Sequence, residues 1–104
     1  MKHEEKPVRL GKSVVSVIPL GLGTWTWDST GQYGQGRDYK EENLRAAFQT
    51  SLKSGINFFD TAESYGNGEV EVLLGRFLKE AKANVVVATK FPPWRNRFLK
   101  RHLL

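Results

Sequence analysis

Two helix-length apolar stripes, each followed by a short apolar run, constrain this 104-residue chain more than any other feature. Leu44, Ala47, Phe48 and Leu52 recur at helical spacing, and Gly55 supplies a stop after them. The spacing predicts an amphipathic helix over about 39–54, with the offset of a capping box in Asp38-Tyr39-Lys40-Glu41. Ile56 to Phe59 then reads as a short buried strand. A second stripe, Val70, Leu73, Leu74, Phe77 and Leu78, predicts a helix starting near Gly68. Glu69 and Glu71 in its first turn and Lys79 and Lys82 near its last match the helix dipole. The continuous run Asn84 to Lys90 reads as a strand covered on both faces.

Earlier in the chain, Val8-Arg9-Leu10 and Val14 to Ile18 flank Gly11-Lys12-Ser13, a β-hairpin that Pro19 ends. Leu20 to Trp25 is one more strand candidate. Its Gly21 and Gly23 weaken it unless a backbone or a ligand comes close. They lack the third glycine and the following helix of a dinucleotide fingerprint. Residues 26–38 read as a Gly-rich surface loop at the mouth of a site, with Trp25 and Trp27 lining that mouth. Residues 1–7 read as a disordered lead, and 8–104 as one domain. The order hairpin, β, α, β, α, β predicts an α/β fold with a parallel sheet.

Composition bounds the function. At 39% hydrophobic and 26% charged, the chain is ordinary for a globular domain. No apolar run is long enough to span a membrane. Cysteine is absent, which excludes disulfides, thiolate catalysis and cysteine metal sites. The first seven residues carry no apolar h-region, so a cytoplasmic location is expected. The net charge of +5 comes from Lys90, Arg95, Arg97, Lys100 and Arg101, which leave eleven basic and eleven acidic residues before position 90. That basic end, with Trp94 and Phe98, has no recognised nucleic-acid motif and reads as the solvated start of a helix.

Parallel α/β folds place chemistry at strand ends. Thr24, Asp60 and Lys90 all stand there, with Tyr65 in the loop after Asp60. Taken singly, Asp60 is a turn or cap residue and Tyr65 a half-buried aromatic. Together with Lys90 they form a coherent set. A phenol with a pKa of about 10 is a poor proton donor near neutrality. A neighbouring ammonium favours the phenolate, and a carboxylate keeps the ammonium charged and oriented. Such a trio suits proton donation to a developing alkoxide, the acid half of carbonyl reduction. The hydride has to come from a cofactor. No metal site is expected.

Four stretches carry a resemblance: Leu20-Gly-Leu-Gly-Thr-Trp25, Gly55-Ile-Asn-Phe-Phe-Asp-Thr-Ala-Glu-Ser-Tyr-Gly66, Leu73-Leu-Gly-Arg-Phe-Leu78 and Val85-Val-Val-Ala-Thr-Lys-Phe91. Over residues 8–104 the chain resembles the amino-terminal part of the aldo-keto reductase family. The resemblance implies the first part of a (β/α)8 TIM barrel, opened by a hairpin on its floor and followed by about three parallel βα units. It implies NADPH-dependent reduction of a small-molecule aldehyde or ketone. Tyr65 is then the general acid, Lys90 the residue lowering its pKa, and Asp60 the partner of Lys90. Gly23, Thr24 and Trp25 lie near the nicotinamide or substrate, and Asp60 near the nicotinamide ribose.

Two departures stand out. Asn67-Gly68 lengthen the loop after Tyr65, so Glu69 or Glu71 takes up the family's acidic position late. The family's catalytic histidine has no counterpart, since His102 follows Lys90 too soon and His3 lies in the lead. An incomplete barrel is therefore expected, with exposed strand edges, self-association, and Val70, Leu74 and Phe77 short of helix neighbours. The alternative reading is a catalytically inactive fragment or an interaction module.

Overall fold

A computed structural model of the chain describes residues 6–29, 36, 38–91 and 93. The expected disordered lead of residues 1–7 lies, apart from residues 6 and 7, outside the described residues, as do most of the Gly-rich loop and the helix expected after Trp94.

The hairpin is present. Strands β1 (Val8–Arg9) and β2 (Ser16–Val17) pair antiparallel, Val8 opposite Val17. Ser13 closes the turn by donating its hydroxyl to the Leu10 carbonyl at 2.7 Å. At Pro19 the chain bends through a bond from Leu20 N–H to the Ile18 carbonyl, 2.7 Å, a three-residue turn that proline favours.

Strands β3 (Leu22–Gly23), β4 (Phe58–Asp60) and β5 (Val86–Ala88) form a parallel sheet in that order. Leu22 and Gly23 pair with Phe59 and Asp60, and Phe58, Phe59 and Asp60 pair with Val86, Val87 and Ala88. The strands are shorter than the apolar runs that announced them. The second is displaced, starting at Phe58 and taking in Asp60, because that is where both neighbours offer pairing partners. Gly21 is glycine for a steric reason: a Cβ there would lie 3.1 Å from the Phe58 ring and 3.3 Å from its carbonyl oxygen.

Helix α1 (Glu41–Lys53) joins β3 to β4, and α2 (Glu69–Ala81) joins β4 to β5. α1 starts later than its stripe suggested. Asn43, not an acid at Glu41, reaches back to accept the Lys40 N–H at 2.8 Å. Tyr39 stays outside the helix and donates its phenol to the Thr26 carbonyl. At the other end, Gly55 has φ +93, the left-handed stop expected there.

Phe48 of α1, Phe59 of β4 and Phe77 of α2 interlock, with ring centroids 5.2 Å (Phe48–Phe59) and 5.6 Å (Phe48–Phe77) apart. Each is at most 1% exposed. Val70 and Leu74 join them. The expectation that Val70, Leu74 and Phe77 lack neighbours is therefore corrected: α1 and the sheet cover them. Trp27 also moves. It sits in a short 3-10 turn, Trp25–Trp27, and packs against Phe77 at 5.7 Å, in the core and not at a mouth. Across the helices run the ion pairs Arg45–Glu80 at 2.9 Å and Arg76–Glu41 at 3.1 Å.

β5 departs from its reading as well. Val87 shares the helix-facing side with Phe59 yet is 40% exposed, because α1 and α2 cover β4 first and leave β5 partly open. Among the described residues the sheet has three strands and does not close.

Candidate active site

Side chains alternate across a strand. In β4, Phe59 faces the helices, so Phe58 and Asp60 face the other way. Register then puts Gly23 and Ala88 beside Asp60 on that same face. Continuing the alternation, Lys90 follows Ala88 onto it. The hairpin is tied to the opposite end of β4, where Asn57 accepts the Ile18 N–H at 2.8 Å. The polar strand ends are thus left open.

Lys90 and Asp60 meet as expected. The Lys90 Nζ donates to Asp60 Oδ1 at 3.0 Å and Oδ2 at 3.1 Å. It makes a third bond to the Thr61 carbonyl at 2.8 Å. Those three acceptors match the three protons of an ammonium. The third was invisible to residue-type reasoning, since a backbone carbonyl has no letter in the sequence. Hydrogen bonding to Asp60 raises the Lys90 pKa above its ordinary value, burial opposes this in part, and the Tyr65 phenol adds to the rise. Lys90 therefore stays an ammonium.

Tyr65 opens a tight turn, Tyr65–Gly68, in which Gly66 and Asn67 are left-handed, and its ring lies under the Lys90 ammonium, 5.3 Å from Nζ to centroid. The ring rests on the edge of the core while Asp60 and Lys90 remain about half exposed. Backbone bonds hold the three strand ends together: Thr24 N–H to Asp60 O at 3.0 Å, Thr61 N–H to Ala88 O at 2.8 Å, Glu63 N–H to Lys90 O at 2.9 Å.

The remaining named residues divide. Gly23 opens onto space, with no heavy atom within 4 Å of where a Cβ would stand. Trp25 is 56% exposed just beyond it. Thr24 is fully buried and donates its hydroxyl to the Asp60 carbonyl at 2.9 Å. No group of three or more metal-ligating side chains occurs among the described residues. No helix among them is long and apolar enough to cross a membrane.

A family model for the aldo/keto reductase family matches residues 19–103. The chain is 45% identical over 93 residues to a chloroplastic pyridoxal reductase of Arabidopsis thaliana, covering 78% of this chain and 25% of that protein. It is 39% identical over 77 residues to an uncharacterized oxidoreductase of Mycobacterium tuberculosis, covering 74% and 24%. Among solved structures, an aldo-keto reductase from Bacillus halodurans in its holo form matches with a TM-score of 0.66 and 29% identity, over 82% of this chain and 25% of that one. A thermostable aldo-keto reductase solved with the inhibitor epalrestat matches with a TM-score of 0.66 and 28% identity, over 91% and 35%. The chain spans about a quarter of the length of the curated relatives it matches. It belongs to the aldo/keto reductase family, and its fold corresponds to the amino-terminal part of that family's barrel.

Proposed function

We propose that this segment carries the proton-transfer site of an NADPH-dependent reductase of aldehydes or ketones. The observation that supports it is the single ammonium of Lys90, bound by both oxygens of Asp60 and held over the ring of Tyr65.

The residues suit a nicotinamide cofactor. Gly23 leaves room beside Asp60, where a side chain would fill the space, and exposed Trp25 offers a flat aromatic face next to it. Gly23, Trp25 and Asp60 would hold its nicotinamide end, with Thr24 fixing the strand end beneath. Such a cofactor, when bound, supplies the hydride that no side chain can. The protein's part is the proton. As the carbonyl π electrons move onto oxygen, the Tyr65 hydroxyl gives its proton to that oxygen and becomes a phenolate. The Lys90 ammonium favours the phenolate electrostatically. Asp60 and the Thr61 carbonyl keep the ammonium in place and charged.

The Arabidopsis relative is a pyridoxal reductase, which makes pyridoxal, an aldehyde, the first substrate to assay. The test is aldehyde-dependent NADPH oxidation. Tyr65→Phe removes the proton donor and should lower kcat roughly 10²–10⁴-fold. Full activity in that variant would overturn the role of Tyr65.

The open three-stranded sheet, with Val87 and Phe91 exposed at its end, favours a second reading. In it the 104 residues alone are a non-catalytic segment or interaction module that self-associates through strand edges. That reading expects no NADPH binding by the isolated chain. A micromolar affinity in a fluorescence titration counts against it.

A further inference from the structure

Lys90 is held firmly at its tip and only on one side at its base. Its ammonium is bound to the end of β4. Its backbone continues β5, which has one paired neighbour among the described residues and no third strand beyond it. On that open side the placement of Lys90 depends on what anchors the residue before it.

That residue is Thr89. Strand alternation turns it away from Lys90, toward the helix layer. There its hydroxyl donates to Oε2 of Glu71 at 2.8 Å. Glu71 lies in the first turn of α2, three residues after the Tyr65–Gly68 turn ends. One helix turn therefore reaches both sides of the site. It is continuous with the turn that presents Tyr65, and through Glu71 it grips the strand end that presents Lys90.

We infer that Glu71 is a positioning residue for Lys90, acting through the Thr89 hydroxyl to fix the distance between the Lys90 ammonium and the Tyr65 ring. This rests on the reading of Lys90 as the partner of Tyr65. Its geometric content is separate, because it concerns where Lys90 sits and not whether the chain reduces a carbonyl.

The test uses the full chain with lysine labelled at Cε with ¹³C, following the Lys90 resonance by NMR as pH is raised. Thr89→Val removes the hydroxyl and keeps the shape and every charge. Thr89→Ser keeps the hydroxyl. If Glu71 positions Lys90, Thr89→Val moves the Lys90 titration midpoint down toward that of free lysine, and Thr89→Ser restores it. Melting temperatures are read on the same samples. A Thr89→Val protein that melts earlier but keeps an unshifted Lys90 midpoint assigns the bond to stability alone and overturns the proposal. So does a midpoint that shifts equally in Thr89→Ser. Neither outcome depends on reductase activity. Loss of activity in Tyr65→Phe, or its absence in the parent chain, bears on the proposed function and leaves this readout intact.

Discussion

The carbonyl oxygen of Asp60 accepts two hydrogen bonds from Thr24, one from its N–H at 3.0 Å and one from its hydroxyl at 2.9 Å. The residue after Asp60 is also a buried threonine, but the Thr61 hydroxyl has no partner among the described residues. Two buried threonines at neighbouring strand ends thus stand in opposite hydrogen-bonding states.

The same substitution should therefore have opposite signs at the two positions. Thr24→Val deletes a bond from a fully buried hydroxyl and should cost about 1 kcal/mol. The N–H bond to the same carbonyl remains, so the loss stays modest. Thr61→Val replaces an unpaired hydroxyl by a methyl of equal size and should be neutral or stabilising by up to about 1 kcal/mol. Urea denaturation of the two variants beside the parent chain checks this. Equal destabilisation would mean that the Thr61 hydroxyl is satisfied in solution.

The Lys90–Asp60 pair predicts a limb at alkaline pH. The pKa of Lys90 is raised above its ordinary value of 10.5, mainly by the bond to Asp60. The folded chain then binds the Lys90 proton more tightly than the unfolded chain does. Its stabilising contribution is complete below pH 10.5 and is lost as pH rises through the higher folded value. Because both side chains are about half exposed, the effect is small and shrinks with added salt. Asp60→Asn should flatten this part of the limb. Urea midpoints at pH 9 and pH 11, in low and high salt, measure the difference between the two proteins, which cancels the other lysines and tyrosines. An identical fall in both would remove the pair from the account.

Phe77 concentrates the core. It touches Phe48 of α1 and Trp27 of the 3-10 turn, and Arg45 lies over its ring at 4.9 Å. Phe77→Ala should cost about 3–5 kcal/mol, a large share of the roughly 5–15 kcal/mol that holds a domain together. Trp27 reports the change directly, since loss of its ring partner opens it to water. A red-shifted emission and a fall in melting temperature of more than about 10 °C are expected. A variant with parent-like emission would show that α2 can repack without this ring.

Much of this was legible because the pattern carried it. The stripes at Leu44–Leu52 and Val70–Phe77 announced the two helices, and the alternation of β and α units announced the parallel sheet. Asp60, Tyr65 and Lys90 could be grouped because each ends a strand or follows one. What stayed hidden depends on partners, not on periodicity. Trp27 looked like a mouth residue because its neighbours were glycine-rich, yet its partner Phe77 lies fifty positions on. Asn43 outcompeted an acidic cap through a side-chain bond that no spacing rule singles out. Glu71 was read only as a favourable charge at a helix start and a late family acid, while its bond to Thr89 needed the two strand ends in space.

The last relationship is a tight one at the turn that presents Tyr65. Gly66 has φ +57, and a Cβ there would lie 2.9 Å from Oε2 of Glu69 and 3.2 Å from its Cβ. The same Glu69 carboxylate binds Ser29, by the hydroxyl at 2.5 Å and the N–H at 3.3 Å. Gly66→Ala therefore acts twice. The left-handed backbone costs an alanine about 1–2 kcal/mol, and the new methyl pushes the carboxylate off Ser29, loosening the loop after β3. Glu69→Ala removes the displaced carboxylate and leaves only the 3.2 Å approach, so the second effect of Gly66→Ala should largely vanish in that background. The double-mutant cycle should show a coupling of about 0.5–1 kcal/mol, with the pair less destabilised than the two single changes added together. Strict additivity in urea unfolding would mean that the Tyr65 turn and the Ser29 loop are held independently, and that glycine at position 66 answers to backbone conformation alone.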